Sequence, residues 1–291
     1  MTALSMTAFA GNSLLCRLAL KHTGMDAASF TTIRLLSGAL VLWLVARRVH
    51  SPQAGGGNWL SAMALFCYAA AFSFAYVSLP AATGALILFG AVQATMIGYG
   101  LWSGERLRTL QLAGLALALS GLLGLLLPGL SAPPVVGSVL MLVAGVAWGV
   151  YSLRGKNAGD PTRVTAGNFL RAAPVAVALS LFMFMLNGAS LDTAGFWYAV
   201  LSGAVTSGIG YAIWYAALPS LQATNAATVQ LSVPVIAALG GIVFLGEPIT
   251  LRLGMASAAI LGGIALVILQ KRAELAVPLT GQGRALKSPG D

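Results

Sequence analysis

The chain has 291 residues, of which 58% are hydrophobic and only 8% are charged, and its mean hydropathy is +0.88. A water-soluble domain carries roughly 25% charged residues, so this composition excludes a soluble globular protein and predicts one embedded in lipid. The net charge of +9 does not indicate nucleic-acid binding, because the basic residues lie in short segments between apolar runs, where they contact anionic lipid. We therefore expect membrane lipid and a small-molecule substrate as partners, and no nucleic acid.

Ten apolar segments are close to the ~20 residues that a helix needs to cross a bilayer. The first segment also carries five polar side chains, at Ser5, Thr7, Asn12, Ser13 and Arg17. Unpaired polar groups are costly in hydrocarbon, so we expect this helix to face the interior of the bundle. The predicted fold is therefore an all-α integral membrane protein with ten transmembrane helices. They are predicted over residues 3–20, 27–46, 59–79, 81–102, 110–127, 135–153, 164–186, 193–217, 222–245 and 251–269.

One sequence pattern occurs twice, at residues 71–85 and again at residues 210–226. Each copy has an aromatic helix that reaches a Tyr, then a Leu-Pro turn, then a helix of small residues, and a Gly-Glu pair follows downstream. A self-match over half of a chain is evidence for a repeat architecture. We therefore predict a first five-helix repeat over residues 1–130, a second over 131–272 and a flexible cytoplasmic tail over 273–291.

Five helices are an odd number, so the second repeat must enter the membrane in the opposite orientation to the first. Inverted repeats are common in secondary transporters, whose substrate site lies between the repeats near the middle of the membrane, and the sequence thus predicts a central cavity. Orientation with both termini in the cytoplasm puts most helix-flanking basic residues inside, as expected for a multi-pass protein of the inner (plasma) membrane. The cytoplasmic set is Arg47, Arg48, Arg106, Arg108, Arg154, Lys156, Arg163, Lys271 and Arg272, and the outer set is Lys21 and Arg252.

The seven acidic residues and both histidines fall at predicted helix ends, in loops or in the tail. The sequence therefore places no carboxylate or imidazole in the middle of the membrane, where proton-coupled and cation-exporting carriers usually keep one. We expect downhill transport or coupling through an unusual group, and the pattern argues against a small multidrug carrier with a buried Glu. The chain also lacks enzyme motifs and metal-ligand spacings, so we expect neither catalysis nor a cofactor or metal.

Neutral aromatic and amide side chains remain as candidates for the substrate site. Aromatic faces offer a large apolar contact and accept a cation, while amides hydrogen-bond amino and carboxylate groups, a combination that suits a zwitterion with an apolar side chain. Phe72 and Tyr76, like Tyr211 and Tyr215, are spaced to share one helix face. The alternative is that such aromatics only pack or lie in interfacial belts. The candidates are Asn12, Phe72, Tyr76, Gln93, Tyr99, Trp148, Tyr151, Tyr211, Trp214, Tyr215 and Gln230.

Five further residues are candidates for a gating or structural role. Arg34 and Arg171 lie early in the second helix of each half, where a buried arginine must find acceptors. Three roles are open for this pair. Each arginine could contact a substrate carboxylate, could act as a gate that pairs with an acceptor in one transport state only, or could cap the carbonyl groups of a broken helix. Glu105 and Glu247 each follow a Gly and precede a helix, so we expect them to cap the positive end of that next helix. Pro234 is expected to let the ninth helix bend.

The duplicated Tyr, Leu-Pro and Gly-Glu marks on ten predicted spans resemble the drug/metabolite transporter superfamily, in its EamA-type branch. The resemblance extends over roughly residues 1–272 and includes Arg34 and Arg171. It also includes Ala147-Trp148-Gly149, which opens the second half, and Pro234. The departures from the pattern are Asn12 and Gln93. Within the superfamily, the aromatic-rich third, sixth and eighth helices are most similar to the YddG-type exporters of aromatic amino acids.

This resemblance implies a transporter that exports amino acids, aromatic or large apolar ones, and related metabolites by alternating access. Alternatives in the same fold are an exporter of other metabolites or drugs, and a sugar-phosphate or nucleotide-sugar carrier. The anions of the latter would need several basic residues in the cavity, whereas only Arg34 and Arg171 qualify. A channel is another alternative, but it would need a continuous polar lining, which the predicted helices do not show. A non-transporting scaffold is a further alternative. We expect the transporter to be a monomer.

Overall fold

The computed structural model describes residues 2–48, 56–104, 109–127, 129, 132–155, 160–217, 230 and 232–276. Within these ranges the regular structure is helical, without a strand, which confirms the predicted all-α class. The helices are α1 (Thr2–His22), α2 (Ala27–Arg48), α3 (Trp59–Tyr76), α4 (Ala81–Trp102), α5 (Thr109–Leu126), α6 (Val135–Gly155), α7 (Pro161–Asn187), α8 (three consecutive pieces, Thr193–Leu201, Ser202–Ile209 and Gly210–Ala217), α9 (Ser232–Leu245) and α10 (Leu251–Ala276).

The described helices match the ten predicted segments, with a difference at the end of the last one. Among the described residues, eight helices are long and apolar enough to cross a membrane, while α9 and the Leu251–Leu266 part of α10 are shorter apolar helices. The ninth segment is predicted from residue 222; its described helix, α9, runs from Ser232 to Leu245, and the predicted start lies outside the described residues. Helix α10 continues to Ala276, so it extends into the segment that was predicted to be a tail.

Helix α8 was predicted to be one regular helix, but its middle piece, Ser202–Ile209, is π-helical. Close packing against α2 gives a reason for the irregularity. A Cβ at Gly203 would lie 2.0 Å from the hydroxyl oxygen of Ser37 and 2.1 Å from the carbonyl oxygen of Arg34, so only glycine permits this approach. Single π-helical turns occur frequently at functional sites, and this segment carries hydroxyl side chains that face the centre of the bundle.

Helix α1 lies inside the bundle, where it packs against α3, α4, α8 and α9. Its polar residues Ser5, Asn12, Ser13 and Arg17 are buried, as expected for a polar helix that avoids lipid. Thr7 is the exception, because it is exposed and donates a hydrogen bond to a carbonyl oxygen one turn earlier in its own helix, at 3.0 Å. The burial of α1 places amide and hydroxyl groups in the middle of an otherwise apolar protein.

Helices α5 and α10 form a pair that is held by small residues. A Cβ at Gly263 of α10 would lie 2.4 Å from the carbonyl oxygen of Gly114 in α5, and one at Gly121 would lie 2.7 Å from the Cβ of Ala259. This close approach is possible because the contact positions carry glycine or alanine, the small residues that let membrane helices pack closely. The pair packs on α4 at the side of the bundle, so it supports the central site without lining it.

Candidate functional site

A narrow cavity lies at the centre of the bundle, between α1, α3, α4, α6 and α8. Its volume of ≈ 20 Å³ can hold a water molecule but not an amino acid, so a larger ligand would require the surrounding helices to move apart. The lining is aromatic and aliphatic, with a few neutral polar groups. The lining residues are Phe9, Asn12, Ser13, Tyr68, Phe72, Leu88, Phe89, Trp148, Thr206 and Tyr211.

Aromatic side chains from three helices form a continuous cluster along one side of the cavity. The ring of Trp148 in α6 lies 4.8 Å from the ring of Tyr68 in α3 and 5.1 Å from the ring of Tyr211 in α8, measured between centroids. Phe72 continues the cluster, since its ring centroid is 5.4 Å from that of Tyr68 and 4.7 Å from that of Tyr76. These separations are typical of favourable aromatic pairs, so the rings form a wall that a flat apolar group can contact.

The cluster also includes residues of α1 and of the C-terminal part of α6. Phe9 of α1 packs edge-on against Tyr211 and Trp214, at centroid distances of 5.7 and 6.0 Å. Tyr151 lies one turn beyond Trp148, at 5.5 Å between the ring centroids. Six of the predicted site residues therefore belong to one cluster. They are Phe72, Tyr76, Trp148, Tyr151, Tyr211 and Trp214.

Asn12 connects the aromatic cluster to the π-helical part of α8. Its side-chain nitrogen donates a hydrogen bond to the hydroxyl oxygen of Tyr68 at 3.3 Å. Its side-chain oxygen accepts hydrogen bonds from Ser202 at 2.6 Å and from Thr206 at 3.4 Å. The spacing of Ser202 and Thr206 on α8 directs both hydroxyl groups at the same amide. The polar face of α1 thus meets the polar face of α8 at the cavity.

Arg34 lies beside this cluster, and its side chain is only 1% exposed. One terminal nitrogen, Nη2, donates to the hydroxyl oxygen of Tyr68 at 3.0 Å, and Nε donates to the Ser207 hydroxyl at 3.4 Å. The guanidinium carbon lies 5.2 Å from the ring centroid of Tyr68 and 4.9 Å from that of Phe72. The other terminal nitrogen, Nη1, is buried and finds no acceptor among the described residues.

Arg171, the counterpart of Arg34 in the second half, has a different environment. Its Nη1 donates to the carbonyl oxygen of Gly56, in the segment that leads into α3, and to that of Gly167 at 2.9 Å. Its side chain is half-buried. The shared role that the sequence suggested for the two arginines is therefore not reflected in their surroundings: Arg34 lies among aromatic rings, and Arg171 holds backbone carbonyls.

An ion pair joins α1 to the segment after α9 at one end of the bundle. Arg17 Nε lies 3.0 Å from Glu247 Oε1, and Arg17 Nη1 donates to the carbonyl oxygen of Tyr76 at 2.9 Å. Glu247 Oε2 accepts a hydrogen bond from the backbone N–H of Ala81 at 2.7 Å. This carboxylate therefore meets the first turn of α4 and not, as predicted, the start of the following helix. We call these interactions the Glu247 contacts.

The other end of α3 takes part in a second set of interactions. Arg154, near the end of α6, donates to the Ser61 hydroxyl at 3.1 Å and to the side-chain oxygen of Asn58 at 3.3 Å. Asn168 of α7 accepts from the backbone N–H of Asn58 at 2.9 Å and donates to the Tyr151 hydroxyl at 3.4 Å. We call these the Arg154 contacts. The two sets of contacts lie toward opposite ends of α3, and the cavity lies between them.

Other predicted residues lie away from the cavity. Tyr99 is 49% exposed and pairs with Trp102 near the end of α4, at 6.2 Å between the ring centroids, the arrangement of an interfacial belt. Gln93 is buried on the side of α4 that faces α5 and α10. Pro234 is buried in the first turn of α9, where proline does not require a bend. Gln230 is half-buried, whereas Glu105 and the side chain of Tyr215 lie outside the described part.

The structure adds site residues that were not among the sequence candidates. Tyr68 is the most important of these, since it contacts Asn12, Arg34 and Trp148. It stands four residues before Phe72, so the stripe formed by Phe72 and Tyr76 extends to it by one helical turn. No comparable signal exists for Ser202, Thr206 and Ser207, because their roles depend on the π-helical turns. The remaining additions to the cavity lining are Phe9, Ser13, Leu88 and Phe89.

Comparison with known proteins shows what this chain is similar to. Residues 135–269 match the model of the EamA-like transporter family. An uncharacterized protein of Pseudomonas aeruginosa is 58% identical over 271 residues, which cover 92% of this chain and 93% of that protein. A probable terminal-alkyne amino-acid exporter of Streptantibioticus cattleyicolor is 26% identical over 94% of this chain and 91% of its own length.

A crystal structure shares the fold, with a TM-score of 0.62 and 23% sequence identity over 92% of this chain and 99% of that one. The agreement extends over nearly the whole bundle and therefore includes both halves of the chain. Together, the apolar helices, the family match and the full-length relative lead to one assignment. The chain is a multi-pass membrane transporter that belongs to the EamA-like family of the drug/metabolite transporter superfamily.

Proposed function

We propose that this transporter exports amino acids with aromatic or large apolar side chains, and related metabolites, by alternating access through the central cavity. The observation that carries the proposal is the wall of Tyr68, Phe72, Trp148 and Tyr211 beside neutral polar groups. Such a wall can bury an apolar side chain, and the amide of Asn12 offers both a donor and an acceptor. The relative from Streptantibioticus cattleyicolor, named as a probable exporter of an amino acid, supports this substrate class.

We further propose that the two halves are inverted repeats, which is the arrangement that alternating access commonly uses. The packing partners of the helices support it. Helix α2 packs on α7, α4 on α9, and α5 on α10, and each of these pairs joins equivalent helices of the two halves. The contact of α3 with α6 has its counterpart in that of α8 with α1, and the contact of α4 with α6 in that of α9 with α1.

The two sets of end contacts fit the roles of gates in such a cycle. They lie at opposite ends of α3, so either can open while the other stays closed. In the orientation that we propose for the inner membrane, with both termini in the cytoplasm, the Glu247 contacts face outward and the Arg154 contacts face the cytoplasm. The present closed structure corresponds to an occluded state between the two open states.

The lining of the cavity supports transport without obligatory proton coupling. None of the residues that line it is an Asp, Glu or His. A proton-coupled carrier needs a group whose protonation alternates with substrate binding. We therefore propose downhill export driven by the concentration gradient of the substrate. A carrier of phosphorylated sugars is a weaker alternative, because Arg34 is the cation that lies beside this cavity in the described part of the chain.

Efflux of labelled L-phenylalanine from preloaded cells tests the proposal. Cells that express the transporter should lose the label faster than cells that express Trp148→Ala at the same membrane abundance, because that variant opens the aromatic wall. Trp102→Ala is a matched control, since Trp102 is 86% exposed at the end of α4, and it should retain the efflux of the unmodified protein. Equal efflux from the unmodified protein and Trp148→Ala would contradict the proposed site.

A further inference from the structure

Arg34 combines a buried positive charge with an unused hydrogen-bond donor. Its side chain is 1% exposed, and Nη1 has no acceptor among the described residues. Its other donors meet only neutral hydroxyl groups, those of Tyr68 and Ser207. A buried charge without an opposite charge is costly, and an unsatisfied buried N–H adds to this cost. The arrangement is therefore prepared for an anionic partner that this state of the protein does not supply.

The four acidic side chains that the structure describes are all engaged elsewhere. Glu247 pairs with Arg17. Asp26 accepts from Ser29, Asp160 from the backbone of Arg163 and Asp192 from the backbone of Gly195, and each of these carboxylates caps a helix at an end of the bundle. Among these four described carboxylates, none is placed to neutralise Arg34.

We propose that Arg34 binds the carboxylate group of the transported substrate, an inference that rests on the proposed function and names its recognition chemistry. A guanidinium matches a carboxylate because its donors lie in a rigid planar fork. Nη1 is available in the closed state, and Nη2 is bound only to Tyr68, a residue that lines the cavity. Because Tyr68 lines the cavity, a shift of its hydroxyl group would free Nη2 as well.

The Tyr68 hydroxyl can release Arg34 to a substrate carboxylate because it also accepts a hydrogen bond from Asn12. It accepts from Arg34 at 3.0 Å and from Asn12 at 3.3 Å. When a carboxylate takes Nη2, the hydroxyl keeps its hydrogen bond to Asn12 and is not left unpaired. The substrate class that follows is an apolar or aromatic group with a free carboxylate, whose apolar part packs on Trp148 and Tyr211.

Equilibrium binding to the purified full-length protein tests this assignment with four ligands that share a phenyl ring. L-phenylalanine and 3-phenylpropionate carry a carboxylate, whereas L-phenylalaninamide and phenethylamine do not. The unmodified protein should bind the first two at least 10-fold more tightly. Arg34→Gln should weaken their binding about 10- to 100-fold, the range for a lost hydrogen bond to a charged group, and should leave the other two within about 2-fold. Arg34→Lys should retain part of the preference, because it keeps the charge.

Arg171→Gln is the matched control, because Arg171 occupies the equivalent place in the second half but contacts backbone carbonyls. It should keep the preference for carboxylates. A folded Arg34→Gln protein that prefers carboxylates as strongly as the unmodified protein would overturn the assignment and favour a purely mechanical role. Equal binding of L-phenylalanine and L-phenylalaninamide by the unmodified protein would overturn the assignment of Arg34 but not the proposed amino-acid cavity. No binding of any of the four ligands would overturn the proposed function as well.

Discussion

At the scale of single residues, the site depends on a few polar atoms within an apolar cluster. Tyr68 holds the side chains of Asn12 and Arg34 through one hydroxyl oxygen. The sequence identified Asn12, Arg34 and the neighbouring ring of Phe72 but not Tyr68 itself. Spacing could have extended the aromatic stripe by one turn, whereas the hydrogen bonds could not be foreseen because they join residues from three helices.

Tyr68→Phe should separate the contribution of this hydroxyl from that of the ring. The substitution keeps the aromatic wall but leaves Arg34 Nη2 and the Asn12 amide without their shared acceptor. Unsatisfied buried donors cost about 1–3 kcal/mol, so thermal unfolding in detergent should show a loss of that size. Tyr99→Phe is the control, because Tyr99 is half exposed at the end of α4, and its unfolding should not change. An unchanged stability of Tyr68→Phe would contradict the network.

At the scale of helices, length and hydropathy were sufficient to predict nearly all elements. The end of α10 differs from prediction, as does the middle of α8. The π-helical piece of α8 arises from tertiary contact, since Gly203 lies against the backbone of α2. Nothing in the local sequence distinguishes it from an ordinary helix with two glycines. The hydroxyl groups that it directs at Asn12 and Arg34 were therefore beyond prediction.

Gly203→Ala should disrupt this contact. The new methyl group would lie 2.1 Å from the carbonyl oxygen of Arg34, a backbone atom that cannot rotate away. Overpacking of this kind costs about 1–3 kcal/mol, and the shift of α8 should also weaken L-phenylalanine binding. Gly124→Ala is the matched control, because a Cβ at Gly124 has no atom within 4 Å. If both variants unfold at the same temperature as the unmodified protein, α8 is not held against α2 in this way.

At the scale of the whole molecule, the repeat in the sequence predicted a transporter built from two five-helix repeats around a central cavity. It did not predict how the cavity closes. In the Glu247 contacts, the carboxylate accepts a hydrogen bond from the first residue of α4 instead of capping α10, the helix that follows it in the chain. The Arg154 contacts use Asn58, Ser61 and Asn168. No sequence pattern connects these polar residues, because only the packing of the helices brings them together.

The two sets of end contacts should control access from opposite sides. Glu247→Gln breaks the ion pair with Arg17 and should bias the protein toward opening at that end. Arg154→Gln removes the bonds to Ser61 and Asn58 and should favour opening at the other end. A cysteine at Thr206, in a background with Cys16 and Cys67 replaced by Ala, reports the effect through labelling by a membrane-impermeant thiol reagent. Labelling should rise from one side in the first variant and from the opposite side in the second, whereas a rise from the same side in both would contradict opposite gates.

Counterflow in proteoliposomes is the most direct test of a carrier with one cavity that opens to each side in turn. Vesicles are loaded with unlabelled L-phenylalanine and diluted into a trace of labelled L-phenylalanine without a pH gradient. A carrier exchanges label inward while the unlabelled substrate leaves, so the internal label should rise transiently above its equilibrium level. A slow approach to equilibrium without this overshoot would indicate a channel, and no uptake by the folded protein would contradict amino-acid transport.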